Sequence, residues 1–243
     1  MILQTEAIVL KTWDFRETSR IASFFTRDFG KVKGVLKGIR KDSKKFGSSL
    51  DQFSVNDIVY YKYNNSDFHL VSQCDLKEYF FPLRQDYRRN LAAVYGLELV
   101  NSLMPQEEEN KDVYQLLLNY FKSLETARLV DQRVHMLQIK LLKLSGFRPH
   151  LDWCLKCRKE IIHKAQFSLS SGGLICQNCA KAWRDLTSIS AGTIATILFI
   201  EQNSWENALR VGLTASVQKE LKYLLNNFLV YHLERNIKSA QYL

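Results

Sequence analysis

Four cysteines carry the most specific chemistry in this sequence. Cys154 and Cys157 stand two residues apart, as do Cys176 and Cys179, with residues 158 through 175 between the pairs. Two intervening residues let one tight turn aim both thiolates at a single ion. Two such turns complete a tetrahedron of soft sulfur donors, which suits Zn²⁺. The spacing is that of a zinc ribbon. A redox site would use one CxxC at a strand-to-helix junction. Four thiolates leave no open coordination position, so the expected metal is structural. His150 and His163 lie nearby and read as bystanders. Arg158 occupies a position where zinc knuckles often carry glycine, and Gly172-Gly173 supply flexibility before the second pair. The fifth cysteine, Cys74, reads as a reduced, partly buried thiol in a strand.

The second chemical signal is charge. Residues 31 to 45 include Lys31, Lys33, Lys37, Arg40, Lys41, Lys44 and Lys45 against a single acid, Asp42. On a strand, positions 31, 33, 35 and 37 share one face, and three of them are lysines. The opposite face carries Val32, Gly34 and Leu36 and suits a core. The remaining four cations continue into a loop. Lysines bind phosphates as point charges without reading bases, so the expected DNA-binding set is sequence-independent and salt-sensitive. A solvated edge strand protected by lysine is the alternative reading. Aromatic residues interleave with these charges, and Phe46 and Tyr61 are the candidate rings for stacking on bases. A further basic cluster surrounds the cysteines: Arg148, Lys156, Arg158, Lys159, Lys164, Lys181 and Arg184, against Asp152, Glu160 and Asp185. It extends a DNA path or simply decorates a metal-stapled loop.

The elements that position these residues divide the chain in two. Residues 1–80 read as β structure. Ile8-Val9-Leu10 lies in an apolar strand, and Asp28-Phe29-Gly30 turns Ile21–Thr26 into Lys31–Gly38. Asp57–Tyr63 and Phe68–Cys74 form a hairpin around Asn64-Asn65-Ser66. Five short strands point to a small closed barrel, an OB-fold or an SH3-like barrel. Residues 81–243 turn helical. Val113, Leu116, Leu117, Tyr120, Phe121 and Leu124 make a stripe of helical period, and the helix over Leu137–Leu144 is apolar nearly all round. Gly146 fits a helix C-cap and Ser190 an N-cap. Val217 to Phe228 forms a last amphipathic helix. Residues 150–185 interrupt this period and hold the cysteines. Glu107-Glu108-Glu109 reads as a solvated loop. The fold class is therefore α+β: a barrel, then a helical domain with an inserted four-cysteine motif.

Composition narrows the partners. The 243 residues carry 34 Lys+Arg against 25 Asp+Glu, a formal net charge of +9 that favours polyanions. No apolar run reaches membrane-spanning length, and the N-terminus reads as a strand, not a signal peptide, so cytoplasmic residence is expected. There is no Walker A loop, GxGxxG after a strand, GxSxG or HExxH, and the five histidines are scattered. No catalytic residue is nominated and no enzyme is expected.

The residues as a set resemble the RecO family. TEAIVLKTWDFRETSRIASFFTRDFGKVKGVLKG is similar to that family's barrel, and FFPLRQDYRRNLAAVYGLELV, LLKLSGFRPHLDWCLKC and FSLSSGGLICQNC to its helical domain with a zinc insertion. The likeness runs from about residue 2 to residue 200, and Arg158 and Leu36 depart from it. The resemblance implies binding of single- and double-stranded DNA, annealing of complementary strands and a place in DNA repair, with a nucleoid-associated location. It also implies partnership with RecR and the single-stranded-DNA-binding protein, and indirectly RecA loading. Two other readings stay open: a zinc-ribbon RNA or ribosome factor, and a protein-interaction scaffold with incidental charge. RNA–DNA competition separates the first from DNA binding. Absence of oligonucleotide binding would mark the second.

Overall fold

A computed structural model of the chain describes residues 1–41, 46, 50–161, 165–181 and 183–243. These form two compact units, Met1–Thr126 and Ala127–Leu243.

The first unit opens with β1 (Ile2–Phe15), β2 (Ser19–Thr26), β3 (Gly30–Leu36), β4 (Val55–Tyr61) and β5 (His69–Glu78). Among the described residues they close into a barrel in the order β1-β2-β3-β5-β4. β1 serves two neighbours, pairing from Ile2 to Ile8 with β4 and from Ala7 to Phe15 with β2. A register shift between Val9 and Lys11 bends it from one to the other. β3 and β5 close the seam in parallel at Gly34↔His69, Val35↔Leu70 and Leu36↔Val71. Glycine is needed at this seam, because a Cβ on Gly34 would fall 2.3 Å from a methyl of Val71. This is an OB-type barrel, one of the two small barrels that the strand pattern allowed. Alternation sends Ala7, Val9, Ala22, Phe24, Val32, Leu36, Ile58, Tyr60 and Val71 into one core. Cys74 joins that core with no exposure, deeper than the sequence implied.

Strand gives way to helix after residue 80. α1 (Phe81–Gln85), α2 (Tyr87–Leu103) and α3 (Lys111–Glu125) complete the same compact unit. Asp86 and Asn110 cap the latter two by accepting from the N–H groups of Arg89 and Val113. The whole predicted stripe of α3 is buried. Its Tyr114 stacks on Phe25 with ring centroids 6.4 Å apart, and the Tyr114 hydroxyl donates to Glu6 Oε1 at 2.9 Å. Tyr114 thus covers outward side chains of β1 and β2. Ile8, Val9 and Leu10 are all buried instead of alternating: Val9 faces the barrel core, α2 packs on β1, and the register shifts after Val9.

The second unit contains α4 (Val130–Leu144), β6 (Ala165–Ser168), β7 (Gly173–Cys176), α5 (Gln177–Ala180), β8 (Leu186–Ile189), α6 (Ala191–Gln202), α7 (Trp205–Ala208) and α8 (Ala215–Leu233). α4 is central, packing on both α6 and α8. It ends as the sequence predicts. Gly146 takes φ +82, and the N–H groups of Phe147 and Gly146 donate to the carbonyls of Leu142 and Lys143. Ser190 caps α6 through the N–H of Thr193. The three short strands form an antiparallel sheet in the order β7-β6-β8.

Candidate nucleic-acid interface and metal centre

Cross-strand partners share a face of the sheet. The barrel's register therefore links Trp13, Ile21, Val35, Leu70, Tyr61 and Ile2 into one row on the outer surface. Trp13, Tyr61 and Ile2 are exposed along it, and Ile21, Val35 and Leu70 are half-buried. The adjacent row runs Lys11, Ser23, Lys33. Lys33 Nζ lies 5.7 Å from the ring centroid of exposed Phe68, and Lys11 Nζ lies 5.2 Å from that of Trp13. Lys37 and Lys41 follow β3 and are exposed. Lys33, Lys37 and Lys41 have no carboxylate partner among the described residues. The outer faces of β2 and β3 thus set half-buried Ile21 and Val35 beside Lys33, with Trp13 of β1 and Phe68 before β5 at their edges.

The basic strip differs from the sequence expectation in three places. Lys31 shares the outward parity of Lys33 but is only 6% exposed. Its Nζ donates to the Asn101 carbonyl at 2.8 Å, and its own carbonyl accepts from Glu107 N–H at 3.0 Å. Chain beyond α2 covers that part of β3, so the ammonium is held by protein and not offered to a phosphate. Arg40 is exposed, yet its guanidinium lies 3.8 Å from Asp14, which also pairs with Arg20 at 3.0 Å. Part of its charge is already met. Phe46 is 3% exposed and belongs to the barrel core, so it is no stacking platform. Lys44 and Lys45 lie outside the described residues.

The loop between β4 and β5 holds residues that sequence reasoning missed. His69 is 1% exposed and stacks on Tyr60 with centroids 5.5 Å apart. Its Nδ1 accepts from Tyr63 N–H at 3.3 Å, and its Nε2 meets Glu107 Oε1 at 2.9 Å. Lys62 Nζ meets the other oxygen of Glu107 at 2.6 Å. The Lys62 hydrogen bond, helped by His69 and opposed by burial, holds the Glu107 carboxyl below the usual range. Burial, with the Glu107 charge, pushes the Tyr60 hydroxyl up to about 12. Glu107 is thus exposed in the connection between α2 and α3, as its acidic run implies, and it also anchors that connection to the barrel. Beside it opens a cleft of about 770 Å³ lined by Lys33, Lys62, Tyr63, Asn64, Ser66 and Glu107. No local pattern marks this arrangement, since its partners stand 38 and 45 residues apart in sequence.

The second unit brings all four predicted cysteines together. One sulfur from each of Cys154, Cys157, Cys176 and Cys179 lies within 4.8 Å of every other. Cys157 and Cys176 are 3.8 Å apart, close to the ~3.8 Å edge of a tetrahedron with ~2.3 Å metal–sulfur bonds. The first knuckle closes as Arg158 N–H donates to the Cys154 carbonyl at 2.8 Å and Cys154 N–H to the Lys159 carbonyl at 2.9 Å. Arg158 takes φ +57, the left-handed conformation that glycine usually supplies. The turn is therefore formed with an arginine where glycine is common. β7 delivers Cys176, and the short α5 delivers Cys179.

Electrostatics fit this donor set to a cation. Burial raises the Cys154 thiol, but backbone N–H groups of Cys157, Cys176 and Lys156 outweigh it and bring it down to about 6. The hydrogen bond to Cys176, with burial and the neighbouring sulfurs, pushes the Cys179 thiol up to about 12. Four sulfurs this close resist sharing four negative charges unless a positive ion sits among them. The cluster could bind a metal ion and has no position left for substrate.

An OB-type barrel, followed by a helical domain with a four-cysteine cluster, defines the class of protein. The chain belongs to the recombination protein O family: the N-terminal model matches residues 1–80 and the C-terminal model residues 84–241. It is 28% identical over 244 residues to the DNA repair protein RecO of Syntrophus aciditrophicus, covering 99% of this chain and 94% of that protein. It is 29% identical over 237 residues to the protein of the same name from Caldicellulosiruptor bescii, covering 98% and 96%. The Caldanaerobacter subterraneus protein of that name is 26% identical, with 99% and 96% covered. Among the described residues no helix is long and apolar enough to cross a membrane.

Proposed function

We propose that this chain is a DNA-binding mediator of recombination in DNA repair, and that the outer face of β2 and β3 holds the strand. The observation that carries this reading is the apolar pair Ile21 and Val35 on that face, edged by exposed Trp13 and Phe68 and accompanied by Lys11, Lys33, Lys37 and Lys41. In OB-folds this face and the loops at its ends bind oligonucleotides. Phosphates meet the ammonium groups, bases lie on Trp13, Tyr61 or Phe68, and no side chain needs to read sequence. Lys31 is left out of this set, and Arg40 contributes less than its charge implies.

Charge neutralisation without covalent chemistry suits annealing of complementary strands, on single- and double-stranded DNA alike. Membership of the family supports the further reading that the chain works with RecR and the single-stranded-DNA-binding protein so that RecA can load. Zinc is the ion assigned to the four thiolates, in a structural role. All four ligands come from the chain, so this ion would fix the knuckles and take no part in a reaction.

The test is single-stranded oligonucleotide binding followed by anisotropy across a salt series. Replacing Lys33, Lys37 and Lys41 with Ala removes three phosphate contacts. The log–log salt slope should fall by about 2, at roughly 0.7 per contact. An unchanged slope overturns the proposed face.

A further inference from the structure

We infer that the metal knuckles form a second polyanion-binding site, separate from the barrel face, which takes the phosphate backbone of a single strand with a base against Trp153. The inference deepens the DNA-binding reading above but rests on different residues. Lys156 and Arg158 flank Cys157, Lys159 follows, and Lys181 and Arg184 stand two and five residues beyond Cys179. Because the sulfurs of both knuckles lie within 4.8 Å of one another, the two basic segments converge on one small module. All five side chains are exposed. None has an ion-pair partner among the described residues.

Two of the neighbouring charges, Arg148 and Asp152, are already paired. Arg148, which the sequence groups with this cluster, is bound to buried Glu201 at 2.9 Å and to Asp152 at 3.2 Å. Asp185 accepts from Ser168 at 3.1 Å and from the Ser170 backbone at 3.0 Å. Its carboxyl is held below the usual range by those bonds. Five uncommitted cations are then opposed by two exposed carboxylates outside ion pairs, Glu160 and Asp185. Directly before the first knuckle, Trp153 is 43% exposed, with its ring 4.4 Å from His150. A half-open indole beside unpaired cations is the pairing that grips a single strand by phosphate and base together. Trp153 and the knuckle cations need no metal chemistry for this. The ion serves only to hold them together. One chain with two such sites can hold two strands at once.

The competing account is that the cations merely offset the negative charge of a metal tetrathiolate. Stoichiometry decides. Full-length protein is titrated with oligothymidylate of about six nucleotides, a length that one such site can cover. The wild type should bind two per chain. The five-fold variant (Lys156, Arg158, Lys159, Lys181 and Arg184 each to Glu) should bind one, while keeping its metal content. The barrel variant (Lys33, Lys37 and Lys41 to Ala) should also bind one. That residual binding should quench tryptophan fluorescence, and Trp153→Phe should remove the quench. One oligonucleotide per wild-type chain, undiminished in the five-fold variant, overturns the second site. One per wild-type chain, lost in the five-fold variant and kept in the barrel variant, overturns the barrel reading and leaves this one standing. If the five-fold variant sheds its metal, Gln replaces Glu at the same positions. Metal loss there too identifies the cations as charge balance and overturns the site. Retained metal with one oligonucleotide bound upholds it.

Discussion

The barrel and the cysteine module solve the same problem, holding cations on a rigid surface, by opposite means. The barrel encloses a core of large side chains, among them Phe24, Tyr60 and Leu36, and pairs its strands around the full circumference. The module has strands of four residues each and a helix of four. It buries Phe167, Leu174 and Ile175 but fewer large side chains than the barrel. Its four sulfurs converge where a metal ion could be held. One region rests on its enclosed core alone, and the other adds to a smaller core a cluster that could bind an ion. Each should therefore fail under a different perturbation.

The largest expected effect is metal removal. Chelation, or Cys154→Ser with Cys157→Ser, should release on the order of 10 kcal/mol of local folding energy in the module. Hydrogen exchange should show protection lost over residues 150–189 and kept in β1 to β5. Equal loss in both regions would break the contrast. Next comes Gly30→Ala. Gly30 takes φ +64, and a Cβ there would fall 2.0 Å from the Glu108 carbonyl oxygen. Left-handed strain alone costs about 1–2 kcal/mol, and the clash adds to it. The barrel's urea midpoint should drop while metal content stays unchanged. The smallest effect is acid. Burial opposes the shift, but hydrogen bonds from Lys77 and Tyr114, with the Lys77 charge, hold the Glu6 carboxyl below its usual range. A depressed carboxylate adds stability above its unfolded value of about 4.3, and that stability fades as pH falls through the lower folded value. Stability of the barrel should decline below about pH 4.3, and Glu6→Gln should flatten that decline in a urea titration.

Legibility in the sequence followed the range of each interaction. The cysteine pairs were readable because each knuckle is local, four residues long, with only the meeting of the two knuckles left to infer. Strand parity placed Lys33 outside and Val32 inside correctly, since alternation is a property of the strand itself. It could not say what lies on top of a strand. Lys31 has the parity of Lys33 but is covered by chain beyond α2, and Ile8 through Leu10 lose their alternation where α2 packs on β1 and the register shifts. Phe46 was misread for a similar reason: a ring in a basic loop can turn inward, and composition does not record which way. The His69–Glu107–Lys62 contact was invisible because it joins a strand end to a helix connection through partners 38 and 45 residues apart.

That last contact bears on how a strand would arrive. Residues 62 to 68 are fastened at their first end by Lys62 on Glu107 and by Tyr63 N–H on buried His69. A loop tied in this way enters an encounter already shaped, so little ordering entropy is lost when a ligand settles against it. Cutting the tie with Glu107→Ala would leave every phosphate contact in place and yet weaken capture. The cost would be conformational freedom returned to the free protein.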